Sequence, residues 1–231
     1  VRAFFLFLLI TACSKPDAST PEEQSACHSK VFEESRFTVC DPAGGTIELV
    51  AAGPSEQPVR RLAELEASLG PRARGVAFAM NAGMYDEGGR PIGLAIADGV
   101  QKHPINRRKG GGNFHLMPNG VFQVFNDGRS AVVASDQWTP SPAIRLATQS
   151  GPMLVIHGKL HPAFDADGTS RYVRNAVGVG ADGRAIFVIS DGPVSFGKLA
   201  RFFRDDLKTR MRSSWTVRSA RCGIRPSGEG T

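Results

Sequence analysis

The sequence predicts an α+β fold: a single domain on a mixed, largely antiparallel sheet with few helices. Three observations predict it. Short apolar runs recur along the chain, and most are closed by a turn rich in Gly, Asn or Asp. Strand-turn-strand units outnumber strand-helix-strand units. Only two stretches, Gln57 to Leu69 and the run after Phe196, space their apolar residues as a helix does. With 231 residues, 41% of them hydrophobic, the chain can build one substantial core but not two large ones.

Taken in order, the chain opens with Arg2, the apolar run Ala3 to Ile10, and Thr11-Ala12-Cys13. A positive start, an apolar run too short to span a bilayer, and small residues before a cysteine describe an export signal over 1–12. Ile10-Thr11-Ala12-Cys13 resembles a bacterial lipobox, so Cys13 is expected to carry lipid and to hold the protein on the membrane of the cell envelope. Ser14 after it fits the outer membrane, facing the periplasm. Residues 13–26, rich in Ser, Thr, Pro and acidic side chains, read as a flexible tether. The domain is expected over 27–207. In an exported chain, two nearby cysteines flanking a strand pair more readily with each other than around a metal, so Cys27 and Cys40 are expected to form a disulfide. Cys222 is then left over.

Phe37 to Cys40 and Thr46 to Val50 read as strands around the turn Pro42 to Gly45. Gln57 to Leu69 reads as an amphipathic helix ended by Gly70-Pro71. Gly75 to Met80 reads as a short buried strand. Ile92 to Ala97 and Val121 to Phe125 lead through the hairpin turns Asp98-Gly99 and Asn126-Asp127-Gly128 into Val100 and Ser130 to Ala134. Strands are also expected at Ala143 to Thr148, Met153 to Ile156, Asn175 to Gly180 and Ala185 to Ser190, before a helix whose apolar face is Leu199, Phe202, Phe203 and Leu207. Residues 106–113, Asn-Arg-Arg-Lys-Gly-Gly-Gly-Asn, cannot be helical and read equally as a flap or a solvated loop.

Uncharged polar motifs punctuate these apolar runs: Asn81-Ala82-Gly83-Met84, Gly112-Asn113-Phe114, Pro118-Asn119-Gly120, Gln149-Ser150-Gly151-Pro152, Arg174-Asn175 and Ser190-Asp191-Gly192-Pro193. Small residues beside an amide let a ligand approach backbone N–H groups, so these motifs suggest a cleft rimmed by amides. In this order and spacing, over residues 37–207, they resemble the phosphodiester glycosidase family. The resemblance implies hydrolysis of a sugar-phosphate diester, as in envelope or exopolysaccharide glycans, and a carbohydrate or sugar-phosphate substrate. It implies substrate contacts from Asn81, Gly83, Asn113, Asn119, Gln149, Ser150, Gly151 and Asn175.

Each of these residues also has a structural reading. Asn81 and Asn119 can be turn formers, and Ser150 lacks the elbow motif of a nucleophile. Arg174 could grip two phosphate oxygens with its planar fork, which a lysine could not. Asp86 and Asp191 are the candidate acid-base carboxyls, although Asp-Glu-Gly-Gly and Ser-Asp-Gly-Pro also suit turns. His28, His103, His157 and His161 lack metal-ligand spacing, so no zinc site is expected. No cofactor is identified, and a divalent cation stays open. A glycan-binding envelope lipoprotein without catalysis is the alternative reading.

The formal charge of +6 does not point to nucleic acid, because Lys208, Arg210, Arg212, Arg218, Arg221 and Arg225 outweigh Glu229 and leave the body nearly neutral. Residues 208–231 differ from the body in charge and periodicity, and no strand is expected there. In the family a Leu-Asp-Gly strand follows this helix, its Asp a catalytic candidate. Trp215-Thr216-Val217 read one base earlier forces an Asp codon, preceded by xTG and followed by xGT, so Leu-Asp-Gly lies in the neighbouring frame. A frameshift near Leu207 therefore accounts for the tail and for Cys222, and it implies poor stability and little activity for the chain as written.

Overall fold

The computed structural model describes residues 25–42, 44–50, 57–209, 215–217 and 222–224. Its elements are β1 (Cys27–Phe32), β2 (Ser35–Cys40), α1 (Leu62–Leu69), β3 (Phe78–Met80), β4 (Ala95–Ala97), β5 (Val100–His103), β6 (Gly120–Phe125) and β7 (Ser130–Ala134). They continue with β8 (Ile144–Ser150), β9 (Val155–Ile156), β10 (Lys159–Leu160), β11 (Asn175–Val179), β12 (Ala185–Ser190), α2 (Phe196–Arg201), β13 (Trp215–Val217) and β14 (Cys222–Ile224). Two five-stranded sheets dominate, in the orders β1-β2-β12-β11-β13 and β5-β4-β8-β6-β7. Neighbouring strands in both are antiparallel, so the α+β expectation holds.

Strand alternation explains the layers. Phe122, Val124 and Leu146 of one sheet meet Val177, Val179 and Phe187 of the other, which makes a sheet-on-sheet core. Ala176 and Val188 face the opposite way, toward Leu199, Phe202 and Phe203 of α2 and the π turn Phe202–Asp206 that extends it. Val121, Ala147 and Leu94 form a third cluster on the outer face of the second sheet, closed by Trp138. Each sheet is thus covered on both faces.

The hairpins follow their turn residues. Asp98 and Gly99 take φ of 48° and 75° between β4 and β5. Cys27 lies opposite Cys40 at the open end of the β1–β2 hairpin and is bonded to it. The turn of that hairpin is Glu33-Glu34, with φ of 43° and 61°, a conformation that costs a side chain about 1–2 kcal/mol per residue. Arg201 holds it: Nε and Nη2 donate to the Glu33 carboxylate at 2.7 Å each, and Lys198 Nζ donates to Glu33 O at 2.7 Å. The Arg201 hydrogen bonds keep the Glu33 carboxyl below its usual pKa. Glu34 has no such clamp among the described residues, so Glu34→Gly is expected to stabilise the protein by about 1 kcal/mol, seen as a higher urea midpoint with an unchanged slope.

The structure departs from the sequence reading in several places. Thr46 to Val50 is not a strand; Ile47 and Leu49 lie against the sheet-on-sheet core, and Arg145 Nη2 donates to Ile47 O at 2.8 Å. α1 starts at Leu62, after an extended Arg61, and runs into a 3-10 turn over Gly70–Gly75. The tail is not without strands: β13 pairs with β11 and β14 with β3, because those edges are open and Trp-Thr-Val suits a strand. Residues 1–24, with Cys13, lie outside the described residues.

Candidate functional site

One cavity of about 930 Å³ opens between α1, the segment 45–50, β3 and the two sheets. Asn81, Gly83, Thr148 and Gln149 line one part of it. Asn81 follows β3, and Asn175 at the start of β11 donates from Nδ2 to Asn81 O at 2.9 Å and to Asn81 Oδ1 at 3.0 Å. A buried Asn175 therefore fixes the orientation of the Asn81 amide. Gly83 has φ of 64°, and a Cβ there would stand 2.5 Å from Thr148 Oγ1, so glycine is required for the loop to reach β8. Gly83→Ala is expected to cost about 2 kcal/mol or more, measurable by urea unfolding.

Gln149 and Ser150 belong to β8 itself and are buried. Alternation puts Thr148 on the inner face of the sheet with Leu146, and Gln149 on the outer face with Ala147. There the Gln149 side chain joins three segments. Its Oε1 accepts from Leu94 N and Asn106 N at 2.9 Å each, and its Nε2 donates to Asn106 O at 2.6 Å and Asn119 Oδ1 at 3.1 Å. Asn119 completes the network: Nδ2 donates to Phe114 O at 2.9 Å, and Oδ1 also accepts from Ser135 Oγ. Both amides are filled by chain partners.

The same network settles the glycine-rich loop. Asn106 Nδ2 donates to Ile92 O, Arg107 donates through Nε to Ser135 O and through Nη2 to Trp138 O, and Arg108 O lies 2.8 Å from His115 Nδ1. The loop is strapped down at its base, and only Gly111 and Gly112 lie in open space at its tip. Asn113 begins a short 3-10 turn, and Gly151 must be glycine because a Cβ would press on the carbonyls of Phe114 and Asn113 at 2.7 and 2.9 Å.

Arg174 adjoins Asn175 but points to the α2 face. Its guanidinium is fully buried, 3.6 Å from the Phe196 ring centroid, with Nε donating to Val194 O at 2.9 Å and Nη2 to Ser170 O at 3.0 Å. The structure does not bring it to the cavity wall. Asp86 shapes a turn, with Oδ1 accepting from Arg90 N at 2.9 Å, and its side chain lies outside the lining, although Tyr85 and Gly89 belong to it. Asp191 comes two residues after Ile189, the register partner of Asn175, and so falls on the same sheet face as Asn175. Thr38 Oγ1 donates to its Oδ1 at 3.1 Å, and Arg36 Nε lies 4.0 Å from its Oδ2.

Sequence reasoning missed Thr148, which alternation against Ala147 and Gln149 would have placed, and it missed the arginines of the cavity rim. Arg60, Arg61 and Arg72 line the cavity with one carboxylate among the described residues, Glu48, which accepts from Arg72 at 2.8 and 2.9 Å. Among the described residues no group of three or more His, Cys, Asp or Glu could hold a metal ion. Arg61 Nε lies 3.9 Å from the Glu64 carboxylate and Arg60 Nη2 donates to Glu87 O at 2.9 Å, so the arginines of the wall are partly neutralised by chain partners, beside amides and a hydroxyl. Away from the cavity, burial lowers the His161 pKa below its ordinary value, partly opposed by the Met117 carbonyl 3.0 Å from Nε2.

The chain and its fold resemble known proteins. The chain is similar to the uncharacterized protein YigE of Escherichia coli (strain K12), with 39% identity over 132 residues, 57% of this chain and 52% of the relative. It thus spans about half the length of the curated relative it matches. Its fold is similar to the solved catalytic domain of zebrafish N-acetylglucosamine-1-phosphodiester alpha-N-acetylglucosaminidase, auto-inhibited by its pro-peptide: TM-score 0.52, 16% identity, covering 86% of this chain and 71% of that one. Residues 74–210, the stretch from before β3 to just past α2 that supplies the cavity's polar wall, match the model of the phosphodiester glycosidase family, and the chain belongs to that family.

Proposed function

We propose that this protein hydrolyses glycosyl phosphodiesters in envelope or exopolysaccharide glycans, held at the envelope by lipid on Cys13. Water attacks the anomeric carbon, the bond from that carbon to the phosphate oxygen breaks, and a free sugar and a phosphate monoester leave. The observation that carries this reading is the shared wall of Asn81, Gly83 and Thr148 with three arginines on the rim of the same cavity. Amides and a hydroxyl suit sugar hydroxyls, and guanidinium groups suit the phosphate. Arg174 enters as support for the start of β11, since its Nε and Nη2 are turned to the backbone carbonyls of Val194 and Ser170.

The described lining offers no unengaged carboxylate for acid-base work. Asp191 is the described candidate because it shares a sheet face with Asn175. The frameshift reading supplies a second: Leu-Asp-Gly restored over Trp215 to Val217 of β13 puts its Asp at position 216, opposite Ala176 and next to Asn175 along the ladder, on the α2 face of the sheet. The test compares the chain as written with a frame-restored chain on N-acetylglucosamine-phospho-sugar. Free sugar from the restored chain, with much less from the chain as written, supports both readings. No sugar from either, together with retained glycan binding, supports the non-catalytic lipoprotein instead, which the engaged Glu48 favours.

A further inference from the structure

The cavity extends beyond the polar wall of Asn81 and Thr148 to the apolar face of α1. Leu62, Leu65 and Leu69 place the apolar stripe of α1 along it, yet no residue of α1 is fully buried and none belongs to a core cluster. Across the gap stand Phe122, Leu146 and Phe187 of the sheet-on-sheet core. An amphipathic stripe is stable when it is buried against apolar surface, and protein interiors pack at crystal-like density. At about 930 Å³, this gap has the size of a ligand site rather than a packing flaw. Its charged lining, three arginines and an engaged glutamate, suits an anionic head group on an apolar body.

We infer that the trough holds the hydrocarbon chain of a lipid-linked substrate: a glycosyl phosphodiester whose second alcohol is a long-chain alcohol. The inference rests on the glycosidase reading and names its substrate class. The sugar lies at Asn81 and Thr148, the phosphate under the rim arginines, and the chain between α1 and the core. In the reaction, water oxygen bonds to the anomeric carbon, the electron pair of the broken carbon–oxygen bond stays with the phosphate, and the proton from water ends on it. The products are a free sugar and a long-chain alkyl phosphate.

Binding and turnover test the two readings separately. Dodecyl phosphate, titrated below its micelle concentration into the full chain in a calorimeter, is expected to bind saturably at one site. Leu65→Asp is expected to weaken it at least tenfold with an unchanged circular dichroism spectrum. Arg61→Glu, an exposed rim change that spares the core, is expected to weaken it severalfold. No saturable binding, or equal binding by both variants, overturns the trough. So does a dimer in sedimentation that Leu65→Asp dissociates, because a second copy would then be the occupant. Among substrates, dodecyl phospho-N-acetylglucosamine is expected to exceed the methyl analogue at least tenfold in kcat/KM. Leu65-dependent binding with neither substrate cleaved, even by the frame-restored chain, keeps the trough and rejects the glycosidase. Equal cleavage of both without binding does the reverse.

Discussion

Replacing Gln149 by alanine is expected to cost about 2–4 kcal/mol, a large fraction of the stability of a domain this size. The change removes four hydrogen bonds at once, from the buried N–H of Leu94, the half-buried N–H and carbonyl of Asn106, and Oδ1 of Asn119, which keeps its bond from Ser135. Each unsatisfied group costs about 1–3 kcal/mol, against a whole-domain stability of about 5–15 kcal/mol. Urea unfolding of the purified variant measures the loss. Gln149→Glu sharpens the test. It keeps an acceptor for the two N–H groups but turns an oxygen toward Asn106 O and Asn119 Oδ1, which favours the protonated carboxyl. The folded pKa then lies above the unfolded one, so the variant's stability is greatest at acid pH and falls as pH rises through the folded pKa. A Gln149→Glu protein no more stable in acid than at neutrality would contradict the placement of the amide.

Arg174→Lys is the second large loss, expected at about 2–4 kcal/mol. A guanidinium can lie over Phe196 while its Nε and Nη2 reach Val194 O and Ser170 O; a lysine has one donor point and cannot satisfy both carbonyls while stacking. Two roles for Arg174 separate here. If it supports β11 from the α2 face, the variant assayed well below its melting temperature keeps its KM for the sugar phosphodiester. Had it gripped the phosphate, KM would rise many-fold with the protein still folded. The buried geometry favours the first result.

These two residues also show what the sequence could reveal. Apolar runs closed by Asp-Gly and Asn-Asp-Gly located most strands and hairpins, since a turn with positive φ has few compatible residues. The pairing of Cys27 with Cys40 was legible because two cysteines close in sequence flank a strand in a chain read as exported, and the structure places them opposite each other in a hairpin. Of the candidate residues, Asn81, Gly83 and Gln149 line the cavity, and Asn175 bonds to Asn81 from behind it. What failed was the assignment of faces. Neighbours in a strand cannot point into one pocket, so Arg174 and Asn175, like Thr148 and Gln149, divide between two layers. A motif is read as contiguous letters, but a strand shows only every second one to a ligand. Thr46 to Val50 failed for another reason, because its β-forming residues found a core to cover without a free strand edge to join.

The strapped loop carries a consequence of its own. Everything up to Arg108 is tied to the second sheet and its flanking segments, and everything from His115 onward is tied back to the same place, while the intervening glycines touch little. A chain severed at that tip would leave two halves interlocked through β4, β6 and β8, a natural breakpoint for complementing fragments or for threading in a reporter without parting the molecule.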